Sequence, residues 1–383
     1  MTTIGVDIRV LGTGRSSGVE EYTEQLLAHM LPMAQDVSWK LFSGGRRPVT
    51  KRPWMDLPSV SMHGSGRSNR ALWLRTWLTG QPLLDRDVGG ADVFFFPHFL
   101  LGALSPACRR VMTWHDLSYE RMPELLSWHR RFWHAIQMRP RFQARSADRV
   151  IAVSRSTAAD LGSLYGIDRA RITVIPSGVD PALRRASEPS VKRWRDERGI
   201  PEQFILAVGT REPRKNLPSL VRAWDRIRRN PAFGQLGLVI AGEEGWNEHE
   251  LMNTIAASRT PAAVRMIGRV DATERSVLYS ACAALVYPSL LEGFGFPPLE
   301  AMACGAPVIA SATSSMTETA GDAALLVDPY RTDELVAALL ALLGDAGLRT
   351  RLIARGYDRV RMFSWQEAAR QTLSVLREAA AHR

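Results

Sequence analysis

The sequence predicts an α/β protein built from two doubly wound parallel sheets, and three observations carry that prediction. At 383 residues the chain is too long for one ordinary core and suggests two domains. Short apolar runs alternate with amphipathic helical stretches, the pattern of a parallel sheet with helices on both faces. The alternation runs twice, on either side of VIPSGVDPALRR (residues 174–185), where two prolines and a glycine read as a linker. The expected division is a first domain over residues 1–178, a second over 179–363 and a terminal helix over 364–383.

Residues 4–10 read as the first strand; Asp7 and Arg9 interrupt its apolar run and argue against a signal peptide. A Gly/Ser-rich loop follows (GTGRSSG, residues 12–18), then a helix from about Val19 to Met30. Gly12, Gly14 and Gly18 lack the G-x-G-x-x-G spacing of a dinucleotide site, which weakens a nicotinamide reading. Further strands are expected at 37–42, 92–96, 111–114, 150–153 and 172–175. The second series reads as strands at 204–208, 237–241, 264–267, 283–287 and 307–310. Helices at 218–229, 247–258, 273–280 and 298–304 alternate with them, and a last helix runs from about Ser364 to Ala381.

Between Glu292 and Glu300 lies EGFGFPPLE, directly after the strand-like run AALVYPS (residues 283–289). Gly293 and Gly295 remove side chains, so a ligand can lie against bare backbone. Pro297 and Pro298 suit a helix start, whose first-turn N–H groups would then form an anion site. A carboxylate beside such a site repels anions, so Glu300 is better suited to hydroxyls. The pattern fits a ligand with phosphate at one end and sugar hydroxyls at the other.

The stretch from Ser289 through EGFGFPPLEAMACGAPVIAS resembles the glutamate-seven-glutamate motif of retaining glycosyltransferases of family 4. The resemblance extends over essentially the whole chain, strongly after residue 170 and weakly before 110. It implies two Rossmann-like domains facing across a cleft, with the terminal helix crossing back to the first domain. It also implies a nucleotide-sugar donor in the second domain and a glycan acceptor in the first.

Within that resemblance, Arg214 and Lys215 in VGTREPRKN match the family's cation pair on the donor diphosphate, and Gly209 opens the same turn. Such cations, fixed where charge grows on a leaving group, lower the barrier. Glu292 matches the residue on the donor sugar and Glu300 the one on ribose, with Gly293, Phe294, Gly295 and Leu299 beside them. Gly268 and Arg269, in the turn MIGRV, match a position near the nucleotide base, and Gly18 matches the glycine loop facing donor and acceptor. His115, in VMTWHD, is the candidate for placing the acceptor, with Tyr119 and Glu120 as candidate pocket walls. Glu292, His115, Arg214 and Lys215 are thus the expected catalytic residues.

Composition narrows the alternatives. Three widely spaced cysteines without a CxxC pair argue against a disulfide framework or zinc site and for a reducing compartment. Asp85-Arg-Asp87 is a D-x-D tripeptide in a polar loop; it is set aside, and neither metal nor cofactor is expected. No apolar stretch approaches the ~20 residues that span a bilayer, so a cytoplasmic or surface-bound protein is expected.

The net charge of +10 is uneven: residues 1–178 hold 23 Lys/Arg against 15 Asp/Glu and seven of the eleven tryptophans. Basic and aromatic residues interleave at RSNRALWLRTWL (67–78) and WHRRFWHAIQMRPRFQAR (128–145). Such segments suit an anionic membrane surface, or form solvated helices whose aromatics pack inward. Nucleic acid is not expected, since no reader motif accompanies the charge.

HDLSYERMPE and VGTREPRKNLPSLVRAW look most like mannosyltransferases of bacterial surface-polysaccharide assembly. The resemblance implies transfer of a hexosyl unit, with mannose from GDP-mannose as the first expectation, to a glycan or polyprenyl-diphosphate-linked acceptor. Retention, by same-face attack with the leaving phosphate taking the proton, is implied by the family alone. A nucleotide-sugar epimerase, a sugar phosphorylase or a non-catalytic binding module on the same fold remain as alternatives.

Overall fold

Every strand pairing in both sheets of the computed structural model is parallel. The structure describes residues 1–12, 18–44 and 49–381, and the chain divides into Met1–Gly178 with Ser364–Arg383, and Val179–Phe363. In the first unit the strands are β1 (Thr3–Asp7), β2 (Ser38–Ser43), β3 (Val60–Gly64), β4 (Val93–Phe96), β5 (Arg109–Trp114), β6 (Arg149–Ala152) and β7 (Ile172–Val174). They lie in the order β3-β2-β1-β4-β5-β6-β7. The second unit contains β8 (Phe204–Val208), β9 (Gly237–Ala241), β10 (Val264–Gly268), β11 (Ala284–Tyr287), β12 (Val308–Ser311) and β13 (Ala324–Val327). Their order is β10-β9-β8-β11-β12-β13.

Strand order reverses between β1 and β4 in one sheet and between β8 and β11 in the other. In doubly wound sheets ligands bind outside the strands' carboxyl ends at that reversal. Helices cover both faces, so central strands are apolar throughout: all four residues of β4 (VFFF) and all five of β9 (GLVIA) are buried. Phe94, Phe96, Trp114 and Tyr165 anchor the first core; Trp224, Leu238, Ile240 and Val286 anchor the second.

The helix Trp365–Ala381 packs in the first unit against the helix Gly18–Met33. Its Trp365 ring meets Tyr22 edge-on at 5.8 Å, and Arg377 pairs with Asp36 at 2.8 Å. The buried stripe Ala368, Ala369, Thr372, Leu373 and Leu376 supplies the apolar face.

Two local differences from the sequence reading have clear causes. The first strand ends at Asp7, not residue 10, because the Asp7 carboxylate accepts from the Arg9 backbone N–H (3.0 Å) and its guanidinium. That clasp turns the chain into a short 3-10 segment, Arg9–Gly12. The edge strands β3 and β13 were not expected: β3 (VSMHG) has no fully buried residue and no apolar signature.

Candidate active site

β8 ends at Val208, and the turn after it carries Arg214 and Lys215; β11 ends at Tyr287, and the loop after it carries Glu292. Both therefore stand at the carboxyl ends that flank the reversal of the second sheet. Lys215 Nζ lies 2.7 Å from Glu292 Oε1 and donates to the Tyr287 hydroxyl at 2.7 Å. Arg214 Nη1 reaches the same Glu292 oxygen at 2.9 Å, while its Nη2 donates to Glu212 at 2.5 Å. Two cations thus converge on one carboxylate.

The backbone fixes this convergence from both loops. Leu290 N–H donates to the Arg214 carbonyl at 2.8 Å, and Arg214 Nη1 donates to the Leu291 carbonyl at 2.7 Å. Glu292 N–H donates to Ser314 Oγ at 2.8 Å, and the Ser315 hydroxyl lies between the Glu292 and Phe294 carbonyls, which share its one proton at 3.0 and 3.1 Å. Gly209, at φ 137°, leaves room for Lys215, whose Cε would lie 3.0 Å from an added Cβ.

Burial and charge oppose one another here. Burial pushes the Glu292 carboxyl up, but Arg214 and Lys215 together outweigh it and hold the group at about 2. Burial pulls the Lys215 ammonium below its usual range, against the attraction of Glu292. Burial and the Glu292 charge raise the Tyr287 phenol, so it stays a neutral hydroxyl. The result is a preformed pair of protein cations, with the carboxylate and hydroxyl keeping the lysine in place.

Gly295 precedes the helix Phe296–Ala303 at φ 87°, where an added Cβ would meet Met316 Cε at 2.0 Å. Pro297 and Pro298 occupy its first turn as expected, but neither carries an N–H, so this helix start offers fewer donors than the sequence reading supposed. Glu300, on the same helix, accepts from Arg275 Nη1 at 2.7 Å and from the Tyr279 hydroxyl at 2.5 Å. Leu299 is fully buried, and Phe294 packs edge-on to Phe296 and Phe363, so neither side chain is presented outward. Gly268 ends β10 at φ 66°, and Arg269 is half-exposed, 3.7 Å from Glu243. The structure therefore groups Arg214, Lys215 and Glu292, and places Glu300 in a separate cluster with Arg275 and Tyr279.

In the first unit Gly18 opens the first long helix; Gly14 and the rest of residues 13–17 lie outside the described residues. His115 follows β5, with Nε2 2.8 Å from the Pro97 carbonyl and its ring edge-on to Tyr22 at 4.7 Å. Asp116 caps the next turn through Ser118 N–H at 2.9 Å. His98, after β4 at the reversal of the first sheet, stands 5.8 Å from His115 and is driven down to about 3 by burial, with His115 adding repulsion. Tyr119 and Glu120 line a pocket of about 680 Å³. Asp85 accepts from Ser105 N–H at 2.8 Å and Oγ at 2.5 Å, a structural role. Ser154 caps the helix Arg155–Tyr165 through Thr157 N–H at 3.0 Å.

Comparison with known proteins bears on the family and the fold. The model of Glycosyltransferase Family 4 matches residues 16–183, and that of Glycosyl transferases group 1 matches residues 190–359. O-antigen chain mannosyltransferase B of Escherichia coli is 30% identical over 293 residues, spanning 74% of this chain and 72% of that protein. The chain belongs to the family 4 glycosyltransferases.

Other relatives of this glycosyltransferase include the serotype-specific mannosyltransferase WbdA of Escherichia coli, 30% identical over 58% of this chain but only 28% of that protein. Among solved structures, sucrose-phosphate synthase from Thermosynechococcus elongatus aligns over 100% of both chains at 20% identity, with a TM-score of 0.77. WaaG, a glycosyltransferase involved in lipopolysaccharide biosynthesis, aligns over 97% of this chain and 99% of its own, at 15% identity and a TM-score of 0.72. Both share the fold.

Four partners in the glycosyltransferase escaped the sequence reading: Tyr287, Glu212, Arg275 and Tyr279. Two of them left a signal: Tyr287 as the last residue of an apolar strand, and Glu212 within VGTREPRKN. Among the described residues no cluster of three or more His, Cys, Asp or Glu is placed to hold a metal, and no helix is long and apolar enough to cross a membrane.

Proposed function

We propose that this glycosyltransferase moves a hexosyl unit, mannose from GDP-mannose in the first instance, to a glycan or lipid-linked glycan acceptor of surface-polysaccharide synthesis. The observation that carries the reading is the convergence of Arg214 and Lys215 on Glu292 at the reversal of the second sheet. The names of the two mannosyltransferase relatives support mannose as the sugar.

In this reading the donor diphosphate takes over the guanidinium of Arg214 and the ammonium of Lys215, and Glu292 turns to the sugar hydroxyls. Negative charge grows on the diphosphate as the glycosidic bond breaks, so cations already in place act most strongly at the transition state. The same cations make a metal unnecessary for the diphosphate. Glu300, steadied by Arg275 and Tyr279, is assigned to the ribose hydroxyls. Transfer with retention, the leaving phosphate taking the acceptor's proton, belongs to this reading through the family resemblance alone. The acceptor is assigned to the first unit, with His115 as a positioning group, and the protein to the cytoplasmic face of the membrane.

The test is a thermal-shift screen against GDP, UDP, ADP and dTDP sugars without added metal, followed by acceptor-dependent turnover. Selective stabilisation by GDP-mannose supports the donor assignment. Selective stabilisation by another nucleotide sugar replaces mannose as the donor but keeps the site.

A further inference from the structure

The pocket behind Tyr119 and Glu120 has a chemistry that the donor site does not explain. Arg131, Arg139, Arg141 and Arg145 line it, against one carboxylate, Glu120, which is engaged by the Tyr165 hydroxyl at 2.9 Å. None of these four arginines is paired with a carboxylate among the described residues. Elsewhere in the same unit arginines are neutralised: Arg52 by Glu24 at 2.7 Å and Arg109 by Asp148 at 3.0 Å. Arg141 and Arg145 are instead held by neutral carbonyls, those of Leu164 and Tyr165, at 3.0 Å each. Carbonyls order a guanidinium without cancelling its charge. The result is a preorganised positive pocket with donors to spare, which is what binds phosphate bidentately.

Arg139 adds a conformational observation. It stands at φ 44° and ψ 53°, a left-handed conformation uncommon outside glycine, with its guanidinium 4.8 Å from the Phe142 ring centre. Gln143 secures that turn by donating to the Met138 carbonyl at 2.6 Å and the Phe99 carbonyl at 3.2 Å. The wall of the pocket is a stacked pair, Tyr119 and His134, with centroids 4.4 Å apart and planes 6° from parallel.

An apolar series adjoins the arginines in sequence, and one exposed ring, Phe142, lines the pocket with them. Trp128, Phe132 and Ile136 recur every four residues and are 69%, 62% and 45% exposed, while Phe142, on the pocket wall itself, is 54% exposed. The sequence allowed these aromatics to pack inward; the structure leaves them in solvent. Phosphate chemistry in the pocket and hydrocarbon chemistry beside it define one amphiphile.

We propose that this pocket binds the phosphate headgroup of a prenyl-phosphate-type lipid acceptor, and that the Trp128–Phe132–Ile136 stripe takes the first part of its chain. The inference rests on the proposed transferase reading for its biological sense, but the binding event does not require the donor site. A diphosphate headgroup and a bulk phospholipid headgroup share the phosphate; only the former carries multiple charges at the end of a single chain.

The experiment titrates farnesyl diphosphate, inorganic pyrophosphate and phosphatidylglycerol vesicles into the full chain, following tryptophan fluorescence and calorimetry. Arg139→Gly keeps the left-handed backbone, and Arg131→Gln changes an exposed position, so the double variant should fold. It should bind farnesyl diphosphate at least tenfold more weakly than the parent while retaining the parent's melting temperature and its shift with nucleotide sugar. Trp128→Ala/Phe132→Ala should weaken farnesyl diphosphate and leave inorganic pyrophosphate unchanged. Parental affinity in the arginine variant overturns the proposal, as does binding to phosphatidylglycerol vesicles without binding to farnesyl diphosphate. Loss of the nucleotide-sugar response with farnesyl diphosphate binding intact would refute the donor reading and leave the pocket standing.

Discussion

Lys215 and Glu292, 77 residues apart in sequence, meet at 2.7 Å beyond the carboxyl ends of two adjacent parallel strands. The pair is buried, and the Tyr287 hydroxyl and Arg214 complete its surroundings. Its cost in desolvation makes sense if the lysine is being stored for another anion, since buried ion pairs contribute little net stability over apolar packing. Substrate phosphate is that anion in our reading.

Removing Lys215 should therefore act on turnover before it acts on folding. Glu292 still has Arg214 at 2.9 Å after Lys215→Ala, so no charge is stranded. We expect kcat/KM to fall by about 10²–10³, the usual cost of one preorganised transition-state donor. Steady-state kinetics beside a thermal melt separates the two effects.

Glu292→Ala should behave differently, because it leaves two neighbouring cations without their shared carboxylate. Breaking a buried pair in this way costs about 3–5 kcal/mol. Urea unfolding should show that loss in Glu292→Ala and a smaller one in Lys215→Ala. Tyr287→Phe should keep the fold and weaken donor binding, since it frees the ammonium that the hydroxyl holds.

The same carboxylate gives a pH signature. Its folded value of about 2 lies below the unfolded carboxylate range, so its stabilisation is complete above pH ~4.3 and is lost as pH falls toward 2. The contribution amounts to about 3 kcal/mol at neutral pH. The stability difference between the parent and Glu292→Gln should shrink by that amount between pH 6 and pH 2. A constant difference would contradict the assigned ion pair.

The cysteines should be inert in the folded protein. Burial pushes the Cys108 and Cys304 thiols up to about 12, and Cys282 is raised further by the same cause. At pH 7.5 a thiol reagent should modify none of the three in native protein and all three in denaturant.

Much of this architecture was legible in the sequence because its signals are local. Alternating apolar runs marked the buried central strands, and EGFGFPPLE marked a glycine turn into a proline-led helix. The partners of that motif were not legible. Arg275 and Tyr279 meet Glu300 only because two helices pack, and Glu212 reaches Arg214 only through the turn geometry. The sequence also left open which way Trp128 and Phe132 point, since solvent exposure depends on what the rest of the chain fails to cover.

The most direct test of the central claim is the affinity of GDP-mannose for the parent and for Lys215→Ala, measured by calorimetry without metal. The account predicts binding by the parent, at least tenfold weaker binding by the variant, and melting temperatures that match within a few degrees. Equal affinities in two folded proteins would contradict the assignment of the Arg214–Lys215–Glu292 cluster to the donor diphosphate.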